Sequence, residues 1–138
     1  MTEKYKILAR YIKDMSSETP NIDTYIFVKD YISKYELNID ITSKALKDKM
    51  IEINTIMKFE DKQQNKIKSY FEINHATIIK ISNEVTKRED LEKIVLCDVQ
   101  VEIYPFLEKA LLDLLHNSGY PNVKFEKKVN FEELYSQR

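Results

Sequence analysis

Apolar and polar residues alternate with a period of two along three stretches of the chain. Tyr35, Leu37, Ile39 and Ile41 fall on one side, with Glu36, Asn38 and Asp40 on the other. Ile51, Ile53, Thr55, Met57 and Phe59 oppose Glu52, Asn54, Lys58 and Glu60. Phe71, Ile73, His75, Thr77, Ile79 and Ile81 oppose Lys68, Glu72, Asn74 and Lys80. This pattern predicts strands with one packed face and one wet face. Polar breaks at 43–49 and 61–66 join them as a consecutive meander. An earlier strand is predicted through Tyr5, Ile7, Ala9 and Tyr11. It ends near Met15, ahead of Pro20, which cannot donate to a ladder. The segment 21–30 reads as a connection without an assigned form.

From Glu89 the period becomes helical. Arg88-Glu89-Asp90 opens the segment, and Asn117-Ser118-Gly119 closes it with glycine in the C′ position. A helix of about 28 residues spans roughly 40 Å. Asp98, Glu102, Lys109 and Asp113 fall on one narrow stripe. Leu96, Cys97, Val99, Val101, Ile103, Tyr104, Phe106, Leu107, Leu111, Leu112, Leu114 and Leu115 spread over most of the remaining circumference. A helix lying on its own sheet needs an apolar arc of only about 100°. The excess predicts burial against a second copy of the protein. Pro105 is expected to kink this helix or to divide it in two. Tyr120 to Phe125 has extended character, and Asn130-Phe131-Glu132-Glu133 reads as a capping box for a short terminal helix. Strands first and helices after predict an α+β fold. It comprises a four-stranded antiparallel sheet (meander), with one long helix and a short C-terminal helix packed on one face. The 138 residues suit one domain, 1–138.

Composition narrows the function. Apolar residues are 43% and charged residues 33%, enough for both a core and solubility. A net charge of −1 argues against nucleic acid and against anionic membrane surfaces. The opening Met-Thr-Glu-Lys-Tyr-Lys is too charged for a signal peptide, and no apolar run approaches bilayer length. A lone cysteine, Cys97, excludes an intramolecular disulfide or a cysteine-rich zinc cluster, so a reducing, cytoplasmic setting is expected. One glycine, Gly119, cannot build a phosphate-cradling loop, which disfavours nucleotide chemistry. His75 is expected in the core with a satisfied partner, His116 at the helix C-terminus where a cation suits the dipole, and Cys97 buried and inert. No metal site or cofactor is expected.

Four segments carry a resemblance to the SecB family of protein-export chaperones. They are Tyr11-Ile12-Lys13-Asp14-Met15-Ser16-Ser17-Glu18-Thr19-Pro20-Asn21, Leu37-Asn38-Ile39-Asp40, Pro105-Phe106, and Gly119-Tyr120-Pro121 followed by Val129-Asn130-Phe131-Glu132-Glu133-Leu134-Tyr135. Their order and spacing resemble the family over most of the chain. The resemblance implies a holdase, not an enzyme. It would bind unfolded preproteins without ATP and pass them to the translocase ATPase SecA, as a homotetramer built as a dimer of dimers. Asp14, Glu18, Tyr70 and Glu72 match positions used to dock SecA; the bland alternative is solvated surface charge. Tyr120, Pro121, Val123 and Phe125 match a loop that walls the client groove; alternatively they staple that loop to the core. The helix positions Val99, Ile103, Phe106 and Leu107 are expected at an oligomer interface. A chaperone dedicated to one client, such as an antitoxin, and a small-molecule-binding α+β protein are the competing readings.

Overall fold

The computed structural model describes residues 3–63, 65–125 and 128–137. Strand β1 (Tyr5–Glu18) leads into helix α1 (Ile22–Tyr31) and a 3-10 turn, Ile32–Lys34. Strands β2 (Tyr35–Ala45), β3 (Met50–Asp61) and β4 (Tyr70–Ile81) follow. Helix α2 (Arg88–Lys93) runs through a π turn, Ile94–Asp98, into α3 (Val99–Asn117), and α4 (Phe131–Ser136) comes last. The sheet is antiparallel with spatial order β1-β4-β3-β2. The consecutive run is β2-β3-β4, and β1 closes the order from the far side of β4. Both β1 and β2 are therefore edge strands.

The period-two alternation of β3 and β4 is realised: Ile53, Met57, Phe71, Ile73 and Ile79 are fully buried. Strand β1 departs from the expected pattern. It continues to Glu18, and its register slips between Ile7 and Ala9 and again between Ile12 and Asp14. An extra residue in one strand turns later side chains to the other face. Ile7 thus sits opposite Ile79 on the packed side, whereas Ala9 and Tyr11 lie opposite Ile78 and Ala76 on the outer side. The run Ile7-Leu8-Ala9, three apolar residues in succession, is the sequence trace of the first bulge.

The segment without an assigned form contains α1. Asn21 caps it, its Oδ1 accepting from the Thr24 N–H at 2.9 Å, and Val28 anchors it in the core. The long helix carries buried residues at a spacing of four, Val99, Ile103, Leu107, Leu111 and Leu115, which makes one continuous seam on the sheet. Gln100 is also fully buried there. Its Oε1 accepts from Thr55 Oγ1 at 3.0 Å and its Nε2 donates to the Val95 carbonyl at 3.2 Å. That carbonyl belongs to the π turn, and the side chain supplies it with a donor. Pro105 stands inside α3 without ending it.

The helix stops in a Schellman arrangement. Tyr120 N donates to the Leu115 carbonyl at 3.0 Å and Gly119 N to that of His116 at 3.3 Å. Gly119 has φ +104°, and a Cβ there would lie 2.7 Å from Tyr25 Cε1. At the other helix, Asn130 Oδ1 accepts from Glu133 N at 3.0 Å, the expected cap of α4. Replacing Gly119 by alanine should therefore strain the backbone by about 1–2 kcal/mol and displace the Tyr25 ring as well. An unfolding free energy from urea titration lowered by at least that amount is expected; an unchanged value would contradict this account of the helix end.

Candidate functional site

The β1–β4 register assembles the acidic group. Asp14 pairs with Asn74, Ser16 with Glu72, and Glu18 with Tyr70, so Asp14, Glu18, Tyr70 and Glu72 share the face turned away from the long helix. Tyr70 OH donates to Glu72 Oε1 at 2.5 Å, and that bond pushes the phenol up to about 12. Lys58 Nζ lies 3.6 Å from the same carboxylate oxygen. Among the described residues Asp14 and Glu18 form no ion pair. Farther along this face Lys13 reaches Glu52 at 3.0 Å and Asn54 at 3.2 Å. It spans β4 near the small, fully buried Ala76. Hydrogen bonds from Asn54 and Lys13 hold the Glu52 carboxyl below the usual range. All four residues expected at a partner surface thus come together.

The loop after α3 divides. Tyr120 is 3% exposed. Its hydroxyl lies 3.0 Å from Ser69 Oγ and 3.3 Å from Thr19 Oγ1, and its ring stands edge-on to Phe71. Tyr25 OH donates to the Gly119 carbonyl at 2.8 Å. Tyr120 is therefore a staple, closed to any guest. Pro121 is exposed, and Val123 and Phe125 are half-buried. Phe125 packs edge-on against Phe59, whose ladder partner is Leu37 of β2. Leu37, Ile39 and Ile41 are only half-buried. Val123 and Phe125 therefore border apolar side chains that line the free β2 edge. His116 secures the loop through Nε2 and the Val123 carbonyl, 3.1 Å apart.

The helix positions also divide. Val99, Ile103 and Leu107 are covered by their own chain, because the seam at a spacing of four faces the sheet. They offer no surface to another subunit. Phe106 remains 40% exposed and Val101 52%. Excess apolar surface does persist, but more of it lies on β1 than on this helix: Leu8, Tyr11, Ile12 and Met15 are all exposed. Sequence periodicity missed these, since the bulges scramble the face assignment. Helix and strand run side by side: Tyr5 OH donates to Glu102 Oε2 at 2.7 Å and Ser17 Oγ meets Ser118 Oγ at 2.6 Å. Between them the Arg10 guanidinium sits 5.0 Å above the Phe106 ring, which leans on His75 at 5.5 Å.

His75 is buried as expected, but its partner is not as expected. Nε2 has no hydrogen-bond partner among the described residues, and Nδ1 lies 3.5 Å from Thr77 Oγ1. Cys97 is buried, and that burial pushes its thiol up. Among the described residues no three His, Cys, Asp or Glu side chains could hold a metal ion. No helix among them is long and apolar enough to cross a membrane.

This is an α+β fold with two open sheet edges and an acidic group at one end of its outer face. The family model described as "Preprotein translocase subunit SecB" matches residues 1–138. A Pelagibacter ubique protein that carries the SecB name is 56% identical over 138 residues, covering all of this chain and 99% of that protein. The protein-export protein SecB of Paraburkholderia phymatum is 28% identical, covering 97% of this chain and 83% of that one. The fold is similar to that of a SecB-like chaperone of Mycobacterium tuberculosis, solved with a peptide from an antitoxin. The TM-score is 0.67 at 12% identity, covering 91% of this chain and 88% of that one. The chain belongs to the SecB family of protein-export chaperones.

His75 gives this fold a testable acid sensitivity. Burial, then the nearby Arg10 charge, lowers its imidazole to about 4 from an ordinary 6.5. The folded state favours neutral imidazole, so its stability is complete above about pH 6.5. It falls as pH drops toward 4, by as much as ~3 kcal/mol. His75→Gln should flatten the stability profile between these limits in urea titrations. An unchanged slope would contradict the assignment.

Proposed function

We propose that this protein is a holdase that binds unfolded preproteins without ATP or any cofactor and delivers them to SecA in the cytoplasm. It acts as one SecB-like domain per chain, in a homotetramer arranged as a dimer of dimers. The observation that carries the client-binding part is the β2 edge. Half-covered Leu37, Ile39 and Ile41 lie beside unpaired main-chain groups and next to Val123 and Phe125. An extended guest chain can add to such an edge through main-chain bonds, which are indifferent to sequence, while apolar side chains take what pockets they find. Pro121, Val123 and Phe125 form the loop wall, and Tyr120 fixes that wall from beneath. Several weak sites on one oligomer raise the overall grip through effective concentration.

The outer-face group supports the second half of the reading. Asp14, Glu18 and Glu72, with Tyr70 between them, present negative charge suited to a basic patch on SecA. Such charges act mainly on encounter rate and specificity. Subunit contact is assigned to Phe106 and Val101 together with the exposed side of β1.

Purified protein should suppress aggregation of a chemically denatured client in the absence of nucleotide. Lysine at all three of Asp14, Glu18 and Glu72 should weaken SecA binding about tenfold or more, leaving suppression of aggregation intact. Undiminished SecA binding would remove the docking assignment. Failure to protect any client would remove the holdase reading.

A further inference from the structure

At the end of the sheet remote from the acidic group, two clefts meet. One, of about 390 Å³, is walled by Leu46, Met50, Ile51, Ile81, Val85 and Leu91, with Lys49, Lys87 and Arg88 among its lining. No carboxylate lines it. The second, of about 340 Å³, is more polar and includes Lys6, Lys49, Lys80 and Asn83, with Glu3 as its one acid. Lys49 and Ile81 belong to both. The volumes fall in the range of small-ligand sites.

Three features of this corner lack a reason in the fold itself. Lys6 and Lys80 face each other directly across the β1–β4 ladder, an arrangement that repels. Among the described residues neither forms an ion pair, nor do Lys49 and Lys87. Lys49 itself sits in the left-handed region, φ 62°, directly after Asp48 at φ 57°. A tight hairpin turn with two such residues favours glycine at the second position. A lysine is held there instead, its Nζ 2.5 Å from Asn83 Oδ1 at the junction of the clefts. Lysines without an ion pair among the described residues, beside an apolar trough, match a ligand with an anionic head and an apolar tail.

We infer that this corner binds a single-chain carboxylate amphiphile, a medium-chain fatty acid. Its tail lies in the apolar cleft and its carboxylate meets Lys49, Lys80 and Lys6. The main chain argues for an alkyl tail over a peptide. Leu46 N, Met50 N, Ile81 N, Val85 N and Leu91 N already donate to main-chain carbonyls of the same corner. The trough offers carbon surface, and only the end of β2 at Ala45 brings an edge strand to it. This site meets the β2 edge only at its last residue, Ala45, and does not depend on the holdase reading.

The test is a titration of the isotopically labelled full chain with decanoate, followed by amide and methyl NMR shifts. Saturable binding of one decanoate per chain is expected, with shifts centred on Lys49, Leu46 and Val85. Decanol, with the tail and no charge, should bind about tenfold more weakly. The double variant K49G/K80Q should lose a similar factor while its thermal midpoint holds or rises, because glycine suits the turn. Leu46→Asp, at a part-exposed position, should abolish binding with the fold retained, and this arm stands should the double variant fail to fold. Unsaturable binding, equal affinity for decanol, or equal affinity in the variants would overturn the site. So would capture by phosphatidylglycerol vesicles, or by an acidic apolar peptide, in place of monomeric decanoate.

Discussion

A four-stranded open sheet has two unpaired edges, and the rest of this structure follows from how each is handled. An unpaired edge is a template for any extended chain, and proteins blunt it with bulges, charges or cover. Here the two edges differ. β1 carries two register slips and runs beside the long helix, where Arg10, Phe106 and His75 stack across the join. It is apolar and exposed at Leu8, Tyr11, Ile12 and Met15, residues drawn from both of its faces. β2 pairs without a slip along its length with β3 and keeps its apolar side chains half-covered. An irregular, greasy edge beside a helix suits one fixed partner of matching shape. A regular, half-covered edge suits many extended guests.

The long helix sets which surface is left over. Its seam at a spacing of four sinks into the sheet, and Gln100 ties helix to strand through Thr55. A buried amide satisfied at both ends fixes the helix register more sharply than apolar packing alone. With that register fixed, Val101 and Phe106 are left on the β1 side, and Gly119 and Tyr120 turn the chain back over α1. The positions assigned to clients and to other subunits are thus opposite sides of one packed layer.

Much of this was legible in the sequence, and the reasons for success and failure are physical. β3 and β4 keep one parity of burial from end to end, broken only at the small Ala76, so the sequence pattern identifies their faces. The helix end was readable from Gly119 and that of α4 from Asn130, since each satisfies backbone groups locally. α1 was not readable, because its apolar residues make no clear helical face and only Asn21 marks it. β1 was misassigned beyond Leu8, because a bulge changes face parity without changing composition. The same error placed the excess apolar surface on the helix, when more of it lies on the strand. Val99, Ile103 and Leu107 were expected at a subunit contact because a helical wheel cannot tell which part of a wide apolar arc the sheet will take. Asp14, Glu18, Tyr70 and Glu72 are expected at one partner surface from the resemblance, whereas their convergence needed the β1–β4 register.

The central claim is that the apolar surface along β1 and the adjoining helix face is covered by further copies of the chain. Light scattering coupled to size exclusion tests it most directly, comparing the natural protein with a variant carrying Ile12→Asp and Met15→Asp, both at exposed positions. A mass of four chains is expected for the natural protein, and a smaller, still folded species for the variant. A folded, stable monomer of the natural protein, or a variant with unaltered mass, would contradict it.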